Sequence, residues 1–445
     1  MYRLLISASL VFFLIAVPVS ADTDVASASA QEALDAMVVL QEATGGWGMK
    51  YPLAGSFMWG EYRPIPKDWI TVQPASTPTM GDLLIHAAKV LREPKYFDAA
   101  TRAKRTLQKI QTAEGGFPHE AAPEGKRPKR GTYDDDTTTS ALRFFLNYWK
   151  HTGKAEDLAD VHGVGDFLIS SQHACGGWTQ YYPTPDSGYS RCITFNDNVF
   201  RNVIASLLLL HKETGETRYL DAAKRGGEAI LKLQGGAGEA IWAQQYDPDT
   251  LEPAWARKFE PPGYAAGESL GVCDTLVVLY LEFEDARYLD SLRRAIEWYD
   301  THKLPNGKWA RLYEPDTQTP VYGRRDMAVK VYDFNKATEG YSWQGNWYPQ
   351  DAKAALELIA TESVEALRKQ RSKVSSPNLD TLRDKSMEII QQQDDGGLWL
   401  RKANAKELEE YETQGTDPSV PLFEVRQVVS NVSVLLDYIQ SETKE

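Results

Sequence analysis

Apolar and polar positions follow a helical period along most of this chain. Asp82-Leu83-Leu84-Ile85-His86-Ala87-Ala88-Lys89-Val90-Leu91 is amphipathic, and so is Tyr219-Leu220-Asp221-Ala222-Ala223-Lys224. The pattern predicts about twelve helices, and no β-hairpin signal stands out. A short loop signature follows the helical runs and recurs about six times. It reads Gly45-Gly46-Trp47-Gly48, Gly115-Gly116-Phe117-Pro118 and Gly176-Gly177-Trp178-Thr179. Weaker copies are Gly235-Gly236-Ala237, Asn306-Gly307-Lys308-Trp309 and Gly396-Gly397-Leu398-Trp399, and a Gln usually stands just upstream (Gln41, Gln111, Gln172, Gln234, Gln393). The interval of roughly 60 to 90 residues suits one helical hairpin plus loops. Glycine ends each helix through the left-handed cap that its missing Cβ allows. Six hairpins closing into a ring would collect these loops, and the aromatics on them, at one mouth. The expected fold is therefore all-α, an (α/α) toroid, closed or incomplete, with long loops forming one cleft.

Length alone would suggest two or three domains. The repeat overrides that prior, because each hairpin needs its neighbours to bury its apolar face. The expected organisation is a leader over residues 1–21 and a single domain over 22–445. Tyr2-Arg3 is a small basic start, Leu4 to Val17 an apolar stretch of h-region length, and Val19-Ser20-Ala21 an A-x-A-like cleavage site. The stretch is short for a membrane span. An exported monomer, periplasmic or secreted and free of the membrane after cleavage, is expected.

Charge and cysteine content narrow the partners. A net charge of −13 argues against nucleic acid but not against an anionic polymer, since the local field in a cleft decides. Three cysteines make no disulfide framework, although Cys175 and Cys192 flank one mouth loop and could pair in an oxidising compartment; Cys273 reads as core. The histidines show no zinc-ligand spacing.

Three stretches break the helical period: Tyr51 to Pro78, Tyr246 to Gly263 and Lys303 to Asp333. Long loops of this kind are often functional. A basic turn, with Lys126, Arg127, Lys129 and Arg130, precedes the acidic motif Tyr133-Asp134-Asp135-Asp136-Thr137. A second acidic motif, Thr194-Phe195-Asn196-Asp197-Asn198, also stands just ahead of a helix. Asp134, Asp135 and Asp197 suit a hard cation, which takes several oxygen ligands. The same residue types also serve as ordinary helix caps. Arginines and aromatics interleave in Trp242-Ala243-Gln244-Gln245-Tyr246, Trp255-Ala256-Arg257-Lys258-Phe259-Glu260, Trp309-Ala310-Arg311-Leu312-Tyr313 and Tyr322-Gly323-Arg324-Arg325-Asp326. Arginine grips carboxylates with two hydrogen bonds, and Trp and Tyr faces suit sugar rings. Together they point to an acidic saccharide, or else to aromatics sealing loops and arginines paired with nearby Glu260, Glu314 and Asp326.

Gly176-Gly177-Trp178-Thr179-Gln180-Tyr181-Tyr182-Pro183 with Ile193 to Asn198, and Ile241 to Pro248 with Pro253-Ala254-Trp255-Ala256-Arg257, resembles the pectate lyases of polysaccharide lyase family 10. The resemblance runs from about Gln31 to Ser441. It implies an incomplete toroid and calcium-assisted β-elimination of polygalacturonate. It further implies that Asp134 and Asp197 are acidic residues of the calcium and substrate site, that Arg257 is the Brønsted base, and that Arg325 is a substrate-carboxylate arginine, with Arg324 competing. Arg311, Trp178, Tyr181 and Trp242 are the further expected substrate contacts. The family usually has Asp-Asn where Asp134-Asp135 stands, and Pro where Thr179 stands. Arginine ordinarily holds its proton above pH 12, so cationic neighbours would have to loosen it and activity should favour alkaline pH. His119 is an alternative base. Two other classes fit the same scaffold: a non-catalytic binder of acidic glycans, and an inverting glycoside hydrolase with two carboxylates roughly 6.5–9.5 Å apart.

Overall fold

The computed structural model describes residues 19–236, 238–373 and 378–443. Most of the expected leader, residues 1–18, and Ala237 of the fourth loop copy lie outside the described residues. Fourteen α-helices are present among them. Six form an outer set: α1 (Val19–Gln41), α3 (Pro94–Ile110), α5 (Ala155–Ser170), α7 (Thr217–Leu233), α9 (Ala286–Thr301) and α12 (Leu379–Gln391). Each is followed by a long loop and an inner helix: α2 (Thr77–Val90), α4 (Thr137–Thr152), α6 (Val199–Thr214), α8 (Ala266–Phe283), α10 (Gln350–Thr361) and α14 (Val425–Glu442). The short helices α11 (Val364–Ser372) and α13 (Ala405–Gln414) are additions to this plan. Inner helices adjoin in the order α14, α2, α4, α6, α8, α10, so the last inner helix meets the first. The fold is the expected (α/α) toroid.

The recurring loop is a structural clasp. Gln41, Gln111, Gln172 and Gln393 each donate through Nε2 to the carbonyl of the Gly four residues on, at 2.8–2.9 Å. The same amide of Gln41, Gln172 and Gln393 reaches the next outer helix, at Ala99 O, Ala222 O and Ser29 O. The bond to Ser29 ties the last outer helix back to the first. The first glycine of three copies has φ of 82–99° (Gly45, Gly115, Gly176), and a Cβ on Gly176 would run into the carbonyl of Arg225.

The aromatic of each loop turns inward rather than to the mouth. The indoles of Trp47, Trp178, Trp309 and Trp399 each donate to a carbonyl ten residues upstream, on or next to the end of the preceding outer helix. Trp242 donates likewise to Ile230 O, twelve residues upstream. Trp178 and Trp242 are fully buried. They plug the junction of outer helix and loop, so neither is a substrate platform, against expectation. A buried indole with its one N–H satisfied carries large apolar area at little polar cost.

The loops share one end because each pairs with the next. Residues 70–71 pair with 120–121, 131–132 with 181–182, 193–194 with 245–246, and 264–265 with 312–313, all antiparallel. Residues 50–52 pair with 422–424. This belt of short ladders runs around the mouth. Residues 320–324 and 327–331 form a β-hairpin that the sequence pattern does not announce. Cys175, Cys192 and Cys273 are free thiols. Among the described residues, no helix is long and apolar enough to cross a membrane.

Candidate active site

Two equivalent turns build the acidic side of the mouth. In the first, Thr132 Oγ1 accepts from Asp134 N–H; in the second, Thr194 Oγ1 accepts from Asn196 N–H, both at 3.1 Å. The chain then takes two successive left-handed residues, Asp135 and Asp136 (φ 47° and 61°) before α4, and Asp197 and Asn198 (φ 50° and 57°) before α6. Asp and Asn tolerate this conformation best after Gly, and non-Gly residues held there gather at functional sites. Neither Asp136 nor Asn198, at the N-cap positions, accepts a capping bond from its helix. Asp136 is instead bound by Thr139 and Arg143 of α4, whereas Asp134, Asp135 and Asp197 face the cavity.

The structure brings Asp134, Asp135 and Asp197 together. Asp197 touches Asp134, and burial first, then that contact and the nearby charges of Asp135 and Glu268, pushes its carboxyl up to about 9. A fourth carboxylate, Glu61, touches Asp135; burial and that contact push Glu61 up to about 8. Glu61 sits at the tip of the rim segment whose strands 50–52, 57–59 and 64–66 pair in sequence. Nothing in its local sequence marks it. His119 Nε2 lies 3.6 Å from Asp134 Oδ2. Glu61, His119 and Asp135 each offer an atom within 4.8 Å of the others.

Asp134, Asp135 and Asp197 line a cavity of ≈ 160 Å³ together with Gln180, Arg257 and Arg311. Several buried side-chain atoms here have no partner: Gln180 Oε1, Gln245 Oε1, Glu268 Oε2, Glu61 Oε2 and His119 Nε2. Orphaned buried polar atoms are costly; of these, Gln180 and Gln245 line this cavity, and Glu61 and His119 line the larger cleft beside it, as expected around a ligand-binding centre. Carboxylates that raise one another's proton affinity, beside unpaired oxygen acceptors, fit a hard divalent cation.

The same cavity is lined by Arg257 and Arg311, and Arg325 stands beside them. Arg325 stacks over Phe259 at 4.4 Å, and Arg257 lies over the same ring at 4.9 Å and over Tyr341 at 5.7 Å. Arg311 lies over Tyr341 at 4.9 Å. The three arginines and two rings thus interleave in one column. Arg257 Nε and Nη2 donate to Glu260 at 2.7 and 2.6 Å, and Tyr341 donates to Glu260 at 2.5 Å. Glu260 is buried, and these donors hold its carboxyl below its ordinary value even though burial pushes the other way. Arg257 is pushed up in turn, chiefly by its hydrogen bonds to Glu260. The expected cationic loosening of Arg257 is therefore reversed in this arrangement: its nearest partner is an anion. Arg311 pairs with Glu268 on α8 rather than with Glu314. Tyr181, partly exposed, lines an adjoining cleft of ≈ 670 Å³ that shares Tyr62 and Tyr189 with the central cavity.

A positional rule, unread in the sequence, places several of these groups. His119, Gln180, Gln244 and Arg311 all stand two residues after a loop aromatic (Phe117, Trp178, Trp242, Trp309). In each case the main-chain carbonyl accepts from an N–H at or just ahead of the start of the preceding inner helix: Val72, Tyr133, Phe195 and Ala266, at 2.7–3.0 Å. All four line the mouth.

Residues 119–308 match the family model of the pectic acid lyases. The resemblance to the pectate lyases holds. The matched segment contains His119, Asp134, Asp135, Asp197, Arg257, Glu260 and Glu268, while Glu61, Arg311 and Arg325 lie outside it. A family 10 polysaccharide lyase from Cellvibrio cellulosa superposes with a TM-score of 0.50 at 22% identity, over 64% of this chain and 98% of that one. A mutant of the Cellvibrio cellulosa family 10 lyase, in complex with trigalacturonic acid, gives 0.49 at 21% identity, over 63% and 98%. A glycoside hydrolase family 76 mannosidase from Bacteroides thetaiotaomicron gives 0.50 at 11% identity, over 94% and 100%. No curated protein matches the chain.

Proposed function

We propose that this protein is an exported pectate lyase that cleaves polygalacturonate by calcium-assisted β-elimination. The observation that carries the reading is one cavity lined both by the carboxylates Asp134, Asp135 and Asp197 and by Arg257 and Arg311, with Glu61 in contact with Asp135 beside it. A uronate brings a carboxylate that needs cationic partners, and the acidic groups alone would repel it. Asp134, Asp135, Asp197 and Glu61 would hold Ca²⁺, which turns them into a receptor for the C6 carboxylate and stabilises charge developing at C5. Arg311 and Arg325 supply further carboxylate contacts.

Arg257 is the proposed base. To accept the C5 proton it must be neutral, and Glu260 opposes this by holding the guanidinium charged. A bound dication and the cationic Arg311 act in the opposite sense, so activity should rise toward alkaline pH. The carboxylates meet as touching pairs, which suits cation binding better than an inverting hydrolase that needs a water between two carboxyl groups. The test is ultraviolet absorbance on polygalacturonate with and without chelator. A lyase forms a 4,5-unsaturated product and stops when calcium is removed. Reducing ends without absorbance would mean a hydrolase, and binding without either would mean a non-catalytic toroid.

A further inference from the structure

The basic turn at residues 126–130 divides between two tasks. Arg127 bends back onto the end of α3, where Nε and Nη2 donate to Gln111 O and Thr112 O at 2.6 and 3.0 Å. Lys129 and Arg130 instead line the ≈ 670 Å³ cleft that opens beside the central cavity. The pairing of residues 131–132 with 181–182 fixes the end of the turn beside Tyr181, and Arg130 Nε donates to Pro183 O at 3.1 Å. The other charges of this cleft are largely spent. Arg63 is paired with Glu120 at 2.5 Å, and Glu61 is engaged with Asp135. Neither Lys129 nor Arg130 has an acidic partner among the described residues. Tyr181 and Tyr189 stand in the same cleft as ring faces, and Tyr189 is 39% exposed.

A polyuronate carries one carboxylate per unit. A chain with one unit in the central cavity can lay its next units along the ≈ 670 Å³ cleft that shares Tyr62 and Tyr189 with it. We propose, on the reading of the central cavity as a uronate site, that Lys129 and Arg130 form a remote carboxylate subsite, with Tyr181 and Tyr189 as sugar platforms, which makes this protein select polyanionic chains over short oligomers. Arg130 offers a planar fork and Lys129 a point charge, and both remain solvated enough to release the chain.

The test is the ratio of kcat/KM on polygalacturonate to kcat/KM on the shortest oligogalacturonate cleaved. In the double variant Lys129→Ala/Arg130→Ala this ratio should fall about tenfold, as expected for two partly exposed charge contacts. Calorimetric affinity for polygalacturonate at fixed salt should fall by a similar factor and lose part of its salt dependence. Lys126→Ala, on the same turn but outside the cleft, should leave the ratio as it was. An unchanged ratio with unchanged affinity overturns the subsite. If the natural protein forms no unsaturated product, yet the double variant still loses about tenfold in affinity for polygalacturonate, the lyase reading fails and the subsite stands.

Discussion

Cation binding here should be coupled to proton release, by an amount the structure sets. Burial and the neighbouring carboxylates push Asp197 up to about 9 and Glu61 up to about 8 without a cation. At pH 7 both are then largely protonated, so the centre holds close to two protons. A dication binds carboxylates, not carboxylic acids, so both protons must leave when it enters. Apparent affinity at pH 7 should lie about 10³-fold below that of the fully ionised centre, or ~4 kcal/mol. Affinity should rise roughly 50-fold from pH 7 to 8 and level off above about pH 10. The assay is calcium titration calorimetry in buffers of different ionisation heat. The slope of observed heat against buffer heat should give about two protons released at pH 7. Asp197→Asn should bring this to about one. Zero release at pH 7, or an affinity flat between pH 7 and 9, would refute the reasoning, because it would mean carboxylates already ionised without a cation.

The same shifts act on stability. Asp197 is raised from 3.8 to about 9 on folding, so between those values the native state holds a proton that the unfolded chain has lost. The ligand-free protein should therefore melt at lower temperature as pH climbs from about 4 toward 9, and calcium should restore the loss at the alkaline end. Asp134→Ala and Asp197→Ala should each lower kcat/KM by about 10²–10³-fold in the absorbance assay; full activity with an unchanged calcium requirement would remove them from the site. Trp178→Ala should cost about 3–5 kcal/mol in a denaturant titration, as expected for a buried plug, with KM on the folded fraction little changed. Arg257→Lys should lose several orders of magnitude in kcat while oligogalacturonate binding falls far less, because base geometry is not shared between the two side chains. Glu260→Gln should move the ascending limb of the pH–rate profile to lower pH, since Glu260 is what holds the proton on Arg257; an unmoved limb would make Arg257 a carboxylate clamp.

What the sequence made legible was local. The stop after each outer helix, the Gln that binds its loop and the glycine with positive φ all lie within a few residues of one another, so the recurrence could be read directly and it led to the toroid. The direction of the aromatics was not legible, because a Gly-Gly-Trp loop is compatible with a ring in the cleft or a ring in the core. The carbonyl waiting near the end of the preceding helix decides, and it draws Trp178 and Trp242 inward. Glu61 was hidden for another reason. Its segment has no period, and its place depends on a ladder between residues 50–52 and 422–424, from opposite ends of the chain. The acidic turns lie between these extremes. Their residue types were visible, but only the paired left-handed conformations at Asp135–Asp136 and Asp197–Asn198 separate a cavity-facing carboxylate from a helix cap.

The clasp and the chemistry occupy adjacent but separate positions of the same loop. The aromatic and the upstream Gln secure the ring, and the residue two places after the aromatic enters the mouth as His119, Gln180, Gln244 or Arg311. A change at the clasp is felt as lost packing, whereas a change two residues later leaves the buried plug intact and alters only what the cavity offers. A toroid built this way can keep its ring while its mouth is rewritten. A mannosidase with 11% identity superposes as well as a family 10 lyase does, so the ring is shared more widely than the sequence. The identity of the reaction therefore has to be argued from the carboxylate pairs and the arginine column, and the ring itself says nothing about it.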